Sequence, residues 1–292
     1  MSDVCFVFAS AVEKDANKII DKYLKDVDYD VKYLHSGRKE KILKKDIDLE
    51  MSELDEYKIL APIGADSLKY VAGMTGIQKY NGVFLEKNNC HGVFIPQENE
   101  ILKNIEPLEA PFADKLCAKS RPGHFNGVIS IVNKLFEVTN PQACVFGMKD
   151  FQQQLIIQHL IKIKQYEIQF LSAPVVRDSN GLALSSRNNY LTNKQRTEAS
   201  KVFTFLSEIQ EEIKLSFKKQ KKTLPIDLGT IKDNYVQIIE NKGFKIDYLE
   251  ILDSKTLEIC QNNSTKILIA IAVFYKQVRL IDNLVLNLSS FS

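Results

Sequence analysis

Residues 143–153 read Ala-Cys-Val-Phe-Gly-Met-Lys-Asp-Phe-Gln-Gln, and this stretch decides the fold class. The run from Ala143 to Phe146 is short and apolar, which is typical of a buried strand, and a glycine follows it. An apolar pattern from Phe151 to Lys164 then predicts a buried helix. The free N–H groups at the start of a helix attract negative charge, so a strand, a glycine turn and a helix together make an anion site. The stretch therefore predicts a Rossmann-like unit.

Strand and helix patterns alternate on both sides of this stretch. Apolar runs of strand length are interleaved with longer runs of helical spacing, which indicates βαβ units and a parallel sheet. Asn140-Pro141 stops the buried helix that precedes the stretch. The predicted strands are 4–9, 30–34, 57–61, 83–85, 93–95, 143–146 and 168–176, and the predicted helices are 13–24, 67–74, 125–138 and 151–164.

The pattern changes in the C-terminal part of the chain. Thr192 and Gln195 have the spacing of a capping box and predict the start of a long amphipathic helix that ends near Phe217. Helices followed by clustered strands indicate a small α+β domain. We expect an α/β fold in two domains, Rossmann-like over residues 1–175 and smaller and α+β over 176–292. The other elements predicted here are a helix over 231–240 and strands over 246–252, 267–275 and 278–281.

The composition is that of a globular protein, with 45% hydrophobic and 26% charged residues. A formal net charge of +2 gives no global electrostatic case for nucleic acid or a membrane surface. Five cysteines lie far apart without a CxxC pair, which argues against a zinc site or disulfide framework and for a reducing compartment. No signal peptide is evident, and no apolar run approaches the ~20 residues of a membrane-spanning helix. We expect a cytoplasmic protein without a membrane partner.

Polar groups suited to anions stand at the ends of the apolar segments. Lys149 adds a point charge where a helix begins, and Asp150 is either part of the same site or a plain N-cap. Gln153 lies one turn from Lys149 and can face the same cleft, although single glutamines on helices are commonly just solvated. Ser185-Ser-Arg187 puts two hydroxyls and a guanidinium in a row that can bracket phosphates, although serine-rich loops are common.

Two further motifs have structural interpretations beside functional ones. Arg121-Pro-Gly-His124 makes a tight turn ahead of a buried helix, and His124 is equally suited to capping that helix or to a core position. Arg279-Leu-Ile-Asp-Asn283 is interpreted as the end of a buried strand with an internal ion pair. The remaining histidines lack the spacing of metal ligands, so no metal-ligating residue is predicted; they are His35, His91 and His159.

Taken in order, these motifs resemble those of the pantoate–β-alanine ligase (pantothenate synthetase) family. The resemblance runs from about Val93 to Asn283, and a series in this order is far more specific than any single motif. The matching pieces are Ser120–Phe125, Lys134–Phe136, Phe146–Gln153, Pro174–Arg177, Gly181–Asn188, Tyr190–Leu191 and Arg279–Asn283.

The resemblance implies an AMP-forming carbon–nitrogen ligase. In this family, ATP and pantoate form a pantoyl adenylate with release of pyrophosphate, and the amine of β-alanine then displaces AMP to give pantothenate. ATP, Mg²⁺ on its phosphates and a homodimer are implied, with the smaller domain closing over ATP. Such an enzyme must bring two anions together, so cationic and hydrogen-bonding groups do most of the work.

The resemblance also assigns roles to individual residues. Lys149 and the group Ser185, Ser186 and Arg187 are implied as catalytic residues on the triphosphate. Gln153 is implied to bind pantoate, with Arg121 and His124 supporting that cleft. The implied ATP-binding residues are Gly147 and Asp150 at the ribose, Val176 and Leu184 at the adenine, and Met148, Lys149, Ser185, Ser186 and Arg187 toward the phosphates.

The N-terminal third departs from the family pattern. Residues 1–90 lack the family's Pro-Thr-Met-Gly…His-x-Gly-His segment, whose histidines stabilise the phosphates, and the chain lacks the second pantoate glutamine. Met148 stands where the family usually has glutamate, which removes a charge beside Lys149. One alternative is therefore a catalytically impaired or dead homologue that still binds nucleotide through its preserved loops.

A second alternative concerns the origin of the same N-terminal third. Ile59–Leu68 followed by Thr75–Gly82 faintly resembles the uracil-DNA glycosylase-like superfamily. That resemblance implies a fusion, in which a segment from a nucleic-acid-binding α/β protein joins a ligase remainder near residues 86–95.

Overall fold

The computed structural model describes residues 5–8, 32–34, 92–94, 105–219 and 227–291. These residues form two compact units, each assembled from separate segments of the chain. Among the described residues, no helix has both the length and the apolar character needed to cross a membrane. The predicted domain division near residue 175 stays a prediction. The first unit contains the described residues up to Pro111, with 124–147 and 156–173, and the second contains 112–123, 148–155 and the described residues from 174 onward.

Parallel strands define the first unit. They are β1 (Cys5–Phe8), β2 (Lys32–Leu34), β3 (Gly92–Phe94), β4 (Ala143–Gly147) and β5 (Gln169–Ala173). One sheet has the order β1-β4-β5, and β2 pairs with β3. Phe146 of the central strand β4 is buried and stacks on Phe170 with 5.6 Å between ring centroids. A strand covered on both faces has to be apolar throughout, which is why β4 could be predicted.

Six described helices follow the chain: α1 (Leu116–Ser120), α2 (His124–Thr139), α3 (Phe151–Ile163), α4 (Asn193–Ala199), α5 (Lys201–Lys219) and α6 (Leu228–Asn241). The predicted buried helices α2 and α3 are confirmed. α2 ends at Thr139, and it is followed by Asn140, whose φ of 40° is left-handed, and by Pro141. The middle of α3 is fully buried, with Ile156, Ile157 and Leu160 at 0% exposure.

An antiparallel sheet forms the core of the second unit. Its strands β6 (Lys245–Asp253), β7 (Lys266–Tyr275) and β8 (Val278–Asn287) lie in that order, so β8 is an edge strand. Alternate residues of β7 face opposite sides. Ile269 and its odd-numbered neighbours pack in one cluster with the apolar faces of α5 and α6. Leu268 and Ala270 pack on the other side with Leu116 of α1.

Three predicted boundaries are wrong. The long helix predicted from Thr192 is two helices that meet at Ser200, whose carbonyl oxygen accepts the N–H of Phe203 in an i→i−3 bond in place of the regular i→i−4 pattern. The strand predicted over 168–176 ends at Ala173, since Pro174 has no N–H to donate. The strand predicted over 278–281 continues to Asn287, because β8 pairs along the whole of β7. The elements predicted over 13–24, 57–61, 67–74 and 83–85 lie outside the described residues.

Candidate functional site

The connection between β4 and α3 contains Lys149, the cation around which the candidate site is built. The chain leaves β4 at Gly147 and enters α3 through a 3₁₀ turn, Met148–Asp150. In the second unit, the half-buried Lys149 ammonium donates a hydrogen bond to the carbonyl oxygen of Leu184 at 3.0 Å. An ammonium has three N–H groups, so this bond leaves donors for an anion.

Charged groups of the second unit surround the Lys149 ammonium. Burial lowers the pKa of Lys149 below its usual 10.5, and the guanidinium groups of Arg177 and Arg187 act in the same direction. The carboxylates of Asp150 and Asp282 oppose this shift because they favour the charged ammonium. Arg177 and Arg187 therefore act on the Lys149 ammonium beside two carboxylates, so an anionic ligand at this ammonium would interact with more than one cation.

Asn283 of β8 holds the backbone of the Lys149 turn. Its side-chain N–H groups donate to the carbonyl oxygens of Met148 at 2.8 Å and of Lys149 at 3.0 Å. Asn283 is 4% exposed, and its side-chain oxygen has no hydrogen-bond partner among the described residues. These two hydrogen bonds hold the Asn283 amide against the backbone of the turn. Because both acceptors are backbone oxygens, the contact does not depend on which side chain residue 148 carries.

The segment after β5 folds back and brings two predicted adenine residues together. The N–H of Leu184 donates to the carbonyl oxygen of Val176 at 2.9 Å. At the tip of this hairpin, Gly181 has a φ of +92°, and a Cβ there would lie 2.8 Å from the Phe203 ring. Both the backbone conformation and the close approach require glycine at this position.

Arg177 joins the same hairpin to β8. Its guanidinium donates to the two carboxylate oxygens of Asp282 at 2.5 and 2.8 Å, and its Cζ lies 3.9 Å from the centroid of the Phe203 ring. Burial raises the pKa of Asp282, and the paired guanidinium opposes that shift. The side chains are 15% and 3% exposed, so this is a buried bidentate ion pair, in which each charge depends on the other.

A second 3₁₀ turn, Ser186–Tyr190, carries predicted phosphate-binding residues. Ser185 is its N-cap, and the hydroxyl accepts the N–H of Arg187 at 3.3 Å. The buried Asn188 donates from its side chain to the carbonyl oxygen of Ala183 at 3.1 Å. This turn lies in the same unit as Lys149, and the buried amide of Asn188 connects it to the backbone at Ala183.

The glutamines at the start of α3 divide into buried and accessible ones. Gln152 is buried and donates to the carbonyl oxygens of Phe112 and Lys115, each at 2.9 Å. Gln154 is also buried, whereas Gln153 is only half-buried. Of the three, Gln153 is thus the one with surface left for a ligand, and it is the one that the resemblance assigns to pantoate.

The predicted site residues are not all in one unit. Arg121 follows α1 in the second unit, whereas His124 begins α2 and Gly147 ends β4 in the first unit. The second unit contains Met148, Lys149, Asp150, Gln153, Val176, Leu184, Ser185, Ser186 and Arg187.

The internal ion pair predicted within Arg279–Asn283 is wrong. Arg279 instead pairs with Asp247 of β6, with nitrogen–oxygen distances of 2.9 and 2.6 Å, while Asp282 pairs with Arg177. Ser120 donates to the same oxygen of Asp247 at 3.0 Å. The true partners lie on other elements, which spacing along the chain does not reveal.

Sequence reasoning also missed the supporting amides Asn188 and Asn283. For Asn283 a signal was present, because Asp282-Asn283 interrupts an otherwise apolar strand and both side chains are buried. A buried polar pair in a strand requires hydrogen-bond partners, so it indicates a contact with another element. For Asn188, within a polar turn, the sequence offered no such contrast.

The family model described as pantoate-beta-alanine ligase matches residues 81–285. The chain belongs to this family. Relatives named pantothenate synthetase agree: that of Thermosipho melanesiensis is 35% identical over 206 residues, which cover 70% of this chain and 71% of that protein. That of Fervidobacterium nodosum is 36% identical over 206 residues, with the same coverage.

Solved structures of pantoate–β-alanine ligases have the same fold. The pantothenate synthetase of Thermus thermophilus aligns with a TM-score of 0.65 at 22% identity, covering 97% of this chain and 93% of that one. The enzyme of Francisella tularensis, solved with β,γ-ATP and β-alanine, aligns with a TM-score of 0.55 at 24% identity and covers 97% of both chains. The predicted α/β fold class is confirmed. Family membership makes the protein a carbon–nitrogen ligase.

Proposed function

We propose that the protein condenses pantoate with β-alanine at the expense of ATP, and that Lys149 and neighbouring residues of its second unit bind the phosphates of ATP. The observation that carries this proposal is the Lys149 ammonium, which is half-buried, anchored on Leu184 and electrostatically coupled to Arg177 and Arg187. Family membership supplies the reaction class. An anion site of this charge is what a triphosphate requires.

The reaction has two steps. A carboxylate oxygen of pantoate attacks the α-phosphorus of ATP, the bond to the β-phosphate oxygen breaks, and pyrophosphate leaves with the electron pair. The amine of β-alanine then attacks the acyl carbon of pantoyl adenylate, AMP leaves, and the ammonium formed loses a proton. Both steps gather negative charge around phosphate oxygens, so fixed cations and N–H donors stabilise their transition states.

The residue roles form part of the proposal. Lys149 binds the phosphates as a cation, and Ser185, Ser186 and Arg187 contact the triphosphate from the second 3₁₀ turn. Gly147 and Asp150 hold the ribose. Val176 and Leu184 contact the adenine, as their adjacency in the hairpin allows. Gln153 binds pantoate, with support from Arg121 and His124.

Magnesium enters this proposal as part of the substrate, on the phosphates of ATP. Within the part of the chain that the structure describes, no group of three or more His, Cys, Asp or Glu side chains could hold a metal ion. Mg²⁺ bound to a nucleotide keeps several waters and takes most of its other ligands from the phosphates, so it does not need such a group.

Measuring AMP release tests the proposed function. ATP, D-pantoate and β-alanine are supplied with magnesium, and we expect AMP only when all three substrates are present. Lys149→Ala should lower the rate by ~10²–10³-fold, the usual effect of removing one charge-stabilising donor. Lys162→Ala, which removes an exposed lysine from α3, the helix that follows the Lys149 turn, is the control and should keep the wild-type rate.

The alternatives give different results in the same assay. A catalytically dead homologue, the alternative that the missing histidine motif raises, would bind ATP without releasing pyrophosphate or AMP. A fusion with a nucleic-acid-binding segment would show salt-sensitive binding to single-stranded DNA. Its sequence signature lies outside the described residues.

The cellular location, the oligomeric state and the domain division complete the proposal. The protein is proposed to be a cytoplasmic homodimer of two-domain chains divided near residue 175, the smaller domain closing over ATP. The assignment to the cytoplasm follows from the cysteine pattern. Sedimentation equilibrium of the full chain would test the dimer directly.

A further inference from the structure

We infer that Asn283 is a positioning residue, which sets the Lys149 turn for binding of the ATP phosphates; the ligand in this inference rests on the proposed function. Asn283 lies on β8, 134 positions from Lys149 along the chain. Its amide contacts only backbone oxygens of the turn, so the contact does not involve the side chains that the proposed function assigns to substrate.

The geometry requires the amide group in particular. Two carbonyl oxygens converge on Asn283, so the side chain that meets them must supply two donors. Aspartate has the same shape but, when ionised, would present lone pairs to both carbonyls. The Asn283 oxygen has no partner among the described residues, and a buried oxygen without a partner is unfavourable. The side chain is therefore oriented by its two N–H donors and not by its oxygen.

Asp282 and Asn283 hold two different loops from one edge strand. Neighbouring residues of a strand point to opposite faces of the sheet. On one face, Asp282 binds Arg177 of the hairpin that contains Leu184. On the other face, Asn283 binds the turn that contains Lys149, and the Lys149–Leu184 hydrogen bond connects the two loops. Lys149 is therefore fixed at both its backbone and its ammonium.

The contact between Asn283 and the Lys149 turn also explains how the turn can carry methionine at position 148. The contact uses the carbonyl oxygen of residue 148, and that oxygen is the same for any residue. The turn can therefore keep its conformation when the family's usual glutamate is replaced by methionine. Asn283 has no such freedom, because its own side chain makes the contact.

The first test measures the turn without any ligand. Backbone amide hydrogen exchange is followed in peptides that cover residues 146–152 in wild type, Asn283→Ala and Leu280→Ala. Leu280 is buried on the same strand but belongs to the core cluster of α5 and α6, so its truncation controls for general loosening of β8. We expect faster exchange at 148–152 in the Asn283 variant only. Equal exchange in all three proteins would overturn the inference.

The second test measures the consequence for ATP. A displacement of about 1 Å at a charge-stabilising group costs ~10²-fold, so Asn283→Ala should lower kcat/KM for ATP by about that factor. KM for β-alanine should stay close to wild type, a split that a merely destabilised protein would not show. An effect within twofold of wild type, or an equal effect in Leu280→Ala, would overturn the inference.

Asn283→Asp keeps the test decisive if the alanine variant does not fold. A protonated carboxyl can donate to one carbonyl, and burial raises the pKa of a carboxyl group. Activity of this variant relative to wild type should therefore increase as the pH falls, whereas a flat ratio would contradict the inference. If wild type releases no AMP but the turn exchanges faster in Asn283→Ala, the proposed function fails and the positioning role stands.

Discussion

Lys149 is a cation whose charge depends on its surroundings. Burial lowers its pKa, so the ammonium loses its proton at a lower pH than an exposed lysine would. In the proposed function, Lys149 binds phosphate in its charged form. As the pH rises toward this lowered pKa, kcat/KM for ATP should fall.

An arginine at position 149 should move that alkaline limb. A guanidinium stays charged well above the pKa of any lysine, so Lys149→Arg should keep its activity to higher pH, with a lower maximum because the group differs in shape. The pH dependence of kcat/KM for ATP measures this, with Lys162→Arg as the control. Identical alkaline limbs in wild type and Lys149→Arg would show that another group titrates.

The Arg177–Asp282 pair should be expensive to break on one side only. Arg177→Ala leaves a carboxylate that is 3% exposed without its partner, and such changes cost about 3–5 kcal/mol in the free energy of unfolding. Replacing both residues by leucine should cost less, since no charge is left buried. Urea unfolding of the single and double variants measures the difference.

The pH dependence of the same variant has a definite sign. Burial raises the pKa of Asp282, and removing Arg177 takes away the main opposing influence. Protonation then neutralises the unpaired group, so the loss in Arg177→Ala should shrink at acidic pH. A loss of equal size at pH 7 and pH 5 would contradict this.

Among the elements, those predicted best were the ones whose signal is local. β4, α2 and α3 are nearly continuous apolar runs, and the Thr192–Gln195 capping box is present with both hydrogen bonds. The length of β8 and the break at Ser200 were missed. β8 owes its length to pairing with β7, and such pairing between distant segments is not encoded in local periodicity.

The capping box allows a prediction for α4. The Thr192 hydroxyl accepts the N–H of Gln195 at 3.3 Å, and Thr192→Ala should lower the free energy of unfolding by ~1 kcal/mol. Thr197→Ala, at an exposed position inside the same helix, should leave stability unchanged or increase it, since alanine favours helix. Chemical unfolding of both variants checks this, and equal losses would mean that the cap contributes nothing.

On the scale of the whole molecule, the site could be predicted only in part. The residues proposed to bind an anion lie in turns with recognisable motifs, such as Gly147–Asp150 and Ser185–Arg187. Asn283, which holds the first of these turns, and Asp282, which holds Arg177 of the neighbouring hairpin, come from a strand far along the chain. Motif spacing identifies the first kind of residue, and only folding identifies the second.

Nucleotide binding should stabilise the whole protein by mass action. ATP at about 100 times its Kd adds ~2.7 kcal/mol to the free energy of unfolding, enough to raise Tm by several degrees. The rise should be mostly lost in Lys149→Ala at the same ATP concentration and kept in Lys162→Ala. Differential scanning calorimetry with and without MgATP measures the rise in Tm. An undiminished rise in Lys149→Ala would show that ATP binds without the Lys149 turn.

The placement of Asn283 has a consequence for how the protein is made. Lys149 and its turn are synthesised before β8, so the backbone contact that fixes them cannot form until the ribosome has added the 134 residues from Lys149 to Asn283. A nascent chain that has not yet produced β8 therefore carries the cation without its support. The turn is fixed only when this strand has been made and has joined the sheet.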